Sequence, residues 1–344
     1  MVALVIERPA QVVHLQRLPH PQQFSIEAVF EAVRPHLAAR FDVRVAVSSF
    51  SSSGLLPRLR AVLEARRLQG ELTHVVGDVH YLDLLLRRHS TVLTVHDTEF
   101  LVRHSGVRAA LYRWFWLRLP VRRARLVTVP SEATRRELLS VVRCAPSRVR
   151  VVRNPVRPDF APSPAPDRER PVVLLLGAWP NKNLLRSAQA LHGLDVDVVL
   201  VGRPDAEQLQ ALAGLSVQVR ADLSDAEVAA AYRDCDLLLF PSTREGFGVP
   251  VLEAQASGRP VVTSDRDPMA EVAGGAACLV DPEDVATIRA GVVRVLSDPT
   301  YRRGLVEAGL RNVERYQAAQ VADAYAEVYD EVLDRPITVR PAGP

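Results

Sequence analysis

The chain of 344 residues is short of several residue types, and each shortage removes a class of protein. It has three cysteines, Cys144, Cys235 and Cys278, odd in number and far apart, so no disulfide framework or paired-thiol motif is present and a reducing cytoplasm is expected. No apolar run reaches the roughly 18 residues of a membrane-spanning helix. The opening MVALVIERPAQ meets Glu7 and Arg8 too early for a signal-peptide core, which again points to the cytoplasm. Neither G-x-G-x-x-G nor G-x-x-x-x-G-K-[ST] occurs, so the dinucleotide fingerprint and the P-loop are both missing, which argues against an NAD-dependent dehydrogenase. His74, Asp78, His80 and His89 do not follow a zinc spacing, and no metal is expected. Lysine occurs once, as Lys182, among 43 basic residues.

What is present is an ordinary globular composition, 48% apolar and 24% charged, at a length that suits two domains with cores large enough to need no staples. The net charge of +3 hides an asymmetry. Residues 1–168 carry 26 arginines against 14 acids, a charge of +12, and residues 169–344 carry 17 basic against 26 acidic side chains, a charge of −9. Either the front half meets an anionic partner, or these are solvated faces. Prolines at 155, 158, 162, 164, 166 and 171 mark a semi-rigid linker over 153–171. Short β-branched runs alternate with helical patterns on both sides. Strands are expected at 3–6, 43–47, 74–76, 91–95, 126–129 and 149–152, then at 172–176, 196–201, 217–219, 237–240, 260–263 and 278–280. That alternation predicts an α/β fold of two doubly wound parallel-sheet domains across a cleft, over 1–168 and 169–315, followed by a terminal helical segment and tail over 316–344. The apolar spacing over 311–333 predicts a long final helix.

Four stretches can carry chemistry. PSTREGFGVPVLE, residues 241–253, reads as a strand exit, a glycine turn at Gly246 and Gly248, and a helix opened by Pro250. Amides at such a helix start attract a diphosphate. Glu245 then sits at the loop mouth, and Glu253, eight positions on, can accept from ligand hydroxyls; alternatively Glu245 caps the helix and Glu253 is a surface residue. LLLGAWPNKNL, residues 174–184, sets Lys182 beside a helix start, as a phosphate contact or as a solvated lysine. VLTVHDTE places His96 and Asp97 past the carboxyl end of a strand, where ligands of parallel sheets collect; the pair acts as an acid–base dyad, or Asp97 or Thr98 caps a helix while His96 packs. GVRAALYRWFWLRLPVRRAR, from Gly106 to Arg125, mixes six arginines with Trp114, Phe115 and Trp116. It suits a helix in a lipid interface, or an aromatic core stripe with an arginine face, better than a nucleic-acid site.

Together these residues resemble glycosyltransferase family 4, the retaining, nucleotide-sugar-dependent enzymes of GT-B fold. PSTREGFGVPVLEAQASGRPVVTSD, EVAG and LVDPED carry most of the resemblance. VTVPSEATRREL, SRVRVVRNPV, LLLGAWPNKNL, VDVVLVGRP and the terminal RYQAAQVADAYAEVYDEVL, similar to the helix that in this family crosses back onto the first domain, extend it. The resemblance implies that Glu245 lies beside the donor sugar, that Glu253 binds the ribose and that Lys182 holds the diphosphate. It implies that Gly177, Gly246, Phe247, Gly248 and Val249 line the donor site, that His96 lies near the reacting sugar, and that the base sits near Val219 and Arg220. Two departures stand out: Ala178 and Trp179 follow Gly177 where many members have an arginine, leaving Arg203 or Arg244 to replace its charge, and RPAQVVHLQRLPHPQQFS has no glycine-rich loop.

The implied function is transfer of a hexose from a nucleoside diphosphate sugar to an acceptor hydroxyl, in surface polysaccharide or glycolipid synthesis. No cofactor is needed beyond the donor. The acceptor is a sugar or a lipid-linked sugar, reached through peripheral contact of residues 106–125 with an anionic membrane. The alternatives are a nucleotide-sugar epimerase and a catalytically silent sugar-nucleotide or membrane-binding module.

Overall fold

The computed structural model describes residues 8–18, 25–52, 54–97, 114–164 and 167–335. The chain forms two compact units, Met1–Pro155 with Ala318–Pro344, and Val156–Gln317.

The first unit holds a six-stranded parallel sheet of β1 (Gln11–Gln16), β2 (Asp42–Val47), β3 (Leu72–Val75), β4 (Thr91–Thr94), β5 (Leu126–Val129) and β6 (Val149–Val151), in the order β2-β1-β3-β4-β5-β6. Val13 pairs with Arg44 on one side and Thr73 on the other, and Leu93 pairs with Val127. Strands β3, β4 and β5 are buried on both faces, which is why β4 and β5 read as unbroken apolar and threonine runs and the one other polar side chain, His74 of β3, is buried too. The final helix, Ala318–Val332, belongs to this unit: Val321, Tyr325, Val328 and Tyr329 bury one face among Val12, Phe30, Val33 and Leu72.

The second unit repeats the plan with β7 (Val172–Leu176), β8 (Asp197–Val201), β9 (Ser216–Arg220), β10 (Leu237–Phe240), β11 (Val261–Ser264) and β12 (Cys278–Val280), ordered β12-β11-β10-β7-β8-β9. The order reverses between β7 and β10. Helix starts obey local chemistry: Ser224 caps Asp225–Arg233 with Glu227 reaching back to its amide, and Asp205 does the same for Ala206–Ala211 with Gln208.

Eleven of the expected strands coincide with observed ones to within two residues at each end. The expected strand at 3–6 lies outside the described residues. β1 forms in the stretch 8–25, where no strand is expected because the polar His14 and Gln16 weaken the local signal and the group that accommodates His14 comes from elsewhere in the chain. The unit boundary falls between Pro155 and Val156, not after residue 168. The proline-rich segment packs: Val156 and Phe160 are buried in the second core, and the Val156 amide donates to the Tyr316 carbonyl at 2.8 Å. The single helix expected over 311–333 is two, Pro299–Val313 and Ala318–Val332, broken by a 3-10 turn at Glu314–Tyr316. Tyr316 stays in the second core beside Phe247 while the residues after Gln317 belong to the first unit, and the break falls at that boundary.

Residues 106–113 of the arginine and aromatic segment lie outside the described residues. Its remainder is a π-helical turn, Trp114–Arg118, running into a helix, Leu119–Arg123. Trp116 is core, 4.7 Å from Tyr81 between ring centroids, whereas Trp114 and Phe115 are exposed. Arg118, Arg122 and Arg123 donate to the carbonyls of Val141, Arg143 and Leu86. Among the described residues no helix is long and apolar enough to cross a membrane.

Candidate active site

The site of the second unit lies at the carboxyl ends of β7 and β10, where the strand order reverses, the position at which open parallel sheets bind ligands. After β7, Gly177 turns the chain with φ +77°, and a Cβ there would press on the Lys182 side chain at 3.0 Å. A 3-10 turn, Pro180–Lys182, then leads to Asn183 in the left-handed region. Asparagine tolerates that conformation, and its amide nitrogen, buried, donates to the carbonyls of Pro241 at 3.0 Å and Pro282 at 2.6 Å. These bonds tie the loop after β7 to the loop after β10.

Lys182 and Glu245, 63 residues apart, therefore meet: Nζ donates to Oε1 at 2.6 Å, with both side chains largely buried. The ammonium also lies 4.9 Å from the Phe240 ring centroid, a cation–π contact. Asn181 reaches the same carboxylate oxygen at 3.4 Å and the Arg244 carbonyl at 2.9 Å. The Ser242 hydroxyl sits 2.7 Å from Glu245 Oε1, 2.6 Å from the Asn181 carbonyl and 3.1 Å from the Arg244 carbonyl, one of which takes its single proton. Glu245 is thus a pre-oriented carboxylate and caps no helix.

Gly246 and Phe247 complete the turn, and Gly248, at φ +101°, is the N-cap of Val249–Ala256. A residue with a Cβ is strained at that angle, so glycine is the natural choice. No side chain caps this helix and no acid stands in its first turn, leaving the end with its positive partial charge. Phe247 is buried, its ring centroid 6.1 Å from that of Tyr316.

Glu253 is no surface residue, being 7% exposed. Tyr232 donates its hydroxyl to Oε2 at 2.7 Å and Arg157 donates Nε to Oε1 at 3.2 Å, while Arg157 also holds Asp225 at 2.7 Å. Burial raises the Glu253 pKa against the opposing pull of Arg157 and Tyr232. Of the arginines considered for the missing positive charge, Arg203 is paired with Asp222 on the surface. Val219, near the expected base position, is exposed on the edge strand β9.

His96 belongs to the first unit, two residues past β4. Its Nε2 lies 3.0 Å from the Val76 carbonyl. A carbonyl only accepts, so this nitrogen carries the proton and Nδ1 is left as an acceptor. Burial lowers the pKa of the ring and keeps it neutral.

Sequence reasoning missed Asn181, Asn183 and Ser242, although the two asparagines flank the lysine it singled out. It also missed Arg157 and Tyr232, the first hidden in a segment read as linker. Among the described residues no three His, Cys, Asp or Glu side chains gather to hold a metal ion. A concavity lined by Arg168, Asp236, Arg259 and Arg302 lies at the opposite, amino edge of this sheet, away from these groups.

Solved structures share this architecture. Anabaena Alr3699/HepE in complex with UDP and glucose superposes with a TM-score of 0.72 at 19% identity, over 94% of this chain and 100% of that one. WaaG, a glycosyltransferase involved in lipopolysaccharide biosynthesis, does so with a TM-score of 0.68 at 16% identity, over 92% and 99%. The protein is of the GT-B class. The description "Glycosyltransferase Family 4" matches residues 34–160 and "Glycosyl transferases group 1" matches residues 170–298, and the chain belongs to that family of glycosyltransferases. The phosphatidyl-myo-inositol mannosyltransferase of Mycobacterium leprae is 36% identical over 173 residues, 46% of this chain and 46% of the relative. The MMP alpha-(1->4)-mannosyltransferase of Mycolicibacterium hassiacum is 31% identical over 276 residues, 71% of this chain and 66% of the relative. Alignments with phosphatidyl-myo-inositol mannosyltransferases span about half the length of those relatives.

Proposed function

We propose that this chain is a retaining glycosyltransferase that moves a hexose from a nucleoside diphosphate sugar to an acceptor hydroxyl, in surface polysaccharide or glycolipid synthesis at the cytoplasmic face of a membrane. The observation that carries the reading is the contact between Lys182 and Glu245 beside an uncapped helix start at the point where the strand order reverses. A cation and a helix start without a side-chain cap suit a diphosphate, and a fixed carboxylate suits sugar hydroxyls.

In the reaction the bond from the anomeric carbon to the donor phosphate oxygen breaks, and a bond to the acceptor oxygen forms on the same face. The acceptor proton passes to the departing phosphate oxygen. That diphosphate gains negative charge as it leaves, so Lys182 and the amides near Gly248 stabilise the transition state more than the bound donor. Glu245 orients the sugar, and His96, in the first unit, offers Nδ1 as an acceptor to a substrate hydroxyl. Glu253 receives the ribose hydroxyls; each of its oxygens has one protein donor and keeps a lone pair. The mannosyltransferases among its relatives support mannose as the sugar, and the phosphatidyl-myo-inositol enzymes among them support a lipid-linked acceptor. Trp114 and Phe115, exposed in the described part of residues 106–125, suit peripheral membrane contact.

The test is calorimetric binding of a panel of nucleoside diphosphate sugars to the wild type and to Glu253→Gln. One donor is expected to bind selectively, and the variant to bind it about tenfold more weakly, since it loses charge-assisted acceptance of the ribose hydroxyls. Absence of binding to every donor by folded wild type would exclude the reading. Equal binding by Glu253→Gln would assign Glu253 to holding Arg157 and Tyr232 alone.

A further inference from the structure

The helix Leu55–Arg67, LLPRLRAVLEARR, wears its residues inside out. Its buried face is made of small side chains, Ala61, Val62 and Ala65, packed in the first core. Its outer face carries Leu55, Leu56, Leu59 and Leu63, between 52% and 74% exposed. At 100° per residue these leucines share one stripe, with Leu55, Leu59 and Leu63 stacked at successive turns. An ordinary surface helix buries leucine and exposes polar groups, so this face has a partner that is itself apolar.

Charge says which. Arg60, Arg66 and Arg67 are exposed on the same arc as the leucines. The helix's one acid, Glu64, is turned away: its Oε2 accepts from the Ser49 amide at 2.9 Å and the Ser48 hydroxyl at 3.2 Å. One side chain of the helix reaches the turn that carries the exposed aromatics. Arg58 stacks over the Trp116 ring at 4.8 Å, and Trp114 and Phe115 occupy the same π-helical turn as Trp116. Leucine flanked by arginine and next to exposed tryptophan and phenylalanine matches a bilayer interface, whose acyl boundary takes the apolar side chains while anionic headgroups take the guanidinium groups.

We propose that the helix Leu55–Arg67 docks this protein on an anionic lipid bilayer, lying in the interface with its leucine stripe down. The inference deepens the lipid-linked acceptor reading and rests on it for its purpose, but the surface is tested separately. Full-length protein is sedimented with vesicles of phosphatidylcholine alone or mixed with phosphatidylglycerol, and donor binding is measured on the same preparations. The wild type is expected to pellet with the mixed vesicles and to be released by salt. Leu59→Glu with Leu63→Glu is expected to lower partitioning by at least about tenfold, Arg60→Ala with Arg67→Ala to lower it on mixed vesicles only, and Leu59→Phe to retain it. All are expected to bind donor as wild type does, since the positions are exposed and belong to the other unit. Unchanged partitioning of the leucine variant, or a wild type that ignores both vesicles, would overturn the proposal. So would a wild-type dimer that the leucine substitutions split without any lipid binding, which would assign the stripe to self-association. Vesicle binding by a protein that takes no donor would keep the docking surface and remove the transferase reading.

Discussion

With Lys182 replaced by alanine, sugar transfer is expected to fall by about a thousandfold in kcat, roughly 4 kcal/mol of transition-state stabilisation. The ammonium is the one lysine of the chain, held by Glu245 and set against Phe240 at a helix end with no protein anion in its first turn. Charge develops on the leaving diphosphate during the reaction, so the loss should appear mainly in kcat and less in donor affinity. Lys182→Arg should not restore the rate. A planar guanidinium does not reproduce the compact ammonium that donates to Glu245 and lies against the Phe240 ring. Single-turnover assays of wild type and both variants, with Tm as the check on folding, decide the matter. A fall of less than tenfold with unchanged Tm would make Lys182 a structural partner of Glu245.

The second large effect is on stability in mild acid. His14 and His74 lie in a buried chain of hydrogen bonds that joins four strands to the last helix. His14 Nε2 is 3.0 Å and His74 Nδ1 2.7 Å from the Tyr329 hydroxyl, His74 Nε2 is 2.7 Å from Thr94, and Thr94 is 2.7 Å from Thr128. Both rings can be neutral with every contact satisfied, for example with His14 donating to Tyr329, Tyr329 to His74, His74 to Thr94, and Thr94 to Thr128. Burial, with Arg34 adding to it, lowers the His14 pKa to about 3, and burial with its histidine neighbours holds His74 well below 6.5. The unfolded chain takes up these protons first, so the network's contribution is complete above pH 6.5 and is lost as pH falls toward about 3 for His14. Each ring costs about 1.4 kcal/mol per pH unit in that window, and the two together up to about 4 kcal/mol at pH 5. His80 and His96 are lowered by burial and act in the same direction, while Asp83, which burial raises to about 7, and Glu253 and Asp330, which burial also raises, oppose them. Urea unfolding at pH 7.5 and pH 5 should show the loss, and imidazole NMR signals of His14 or His74 that titrate at or above about pH 6.5 would contradict neutral buried rings. Tyr329→Phe, which leaves a donor and an acceptor unpaired, should cost about 2–3 kcal/mol at neutral pH.

The same network shows where local reading stops. β1 is invisible as a strand because QVVHLQ carries polar side chains, and the group that makes His14 tolerable, Tyr329, comes 315 positions later. The donor-side residues were legible for the opposite reason. Glu245, Gly248 and Glu253 belong to one strand-turn-helix whose geometry follows from glycine, proline and spacing over a dozen residues. Glu253 was found but its surroundings were not, because Arg157 and Tyr232 reach it from other elements.

Local chemistry alone therefore determined the parallel sheets, the strand-turn-helix at Glu245, the singular Lys182 and the family resemblance, since each is written in side-chain periodicity or in neighbouring residues. Tertiary structure decided the rest. It joined Lys182 to Glu245 through Asn183, buried Glu253, broke the final helix so that Tyr316 and Tyr329 serve different units, and left four leucines of one helix facing outward. The physical reason is common to all of these. Burial, charge pairing and the satisfaction of polar groups depend on what distant segments bring to a position, and no window of sequence contains both partners.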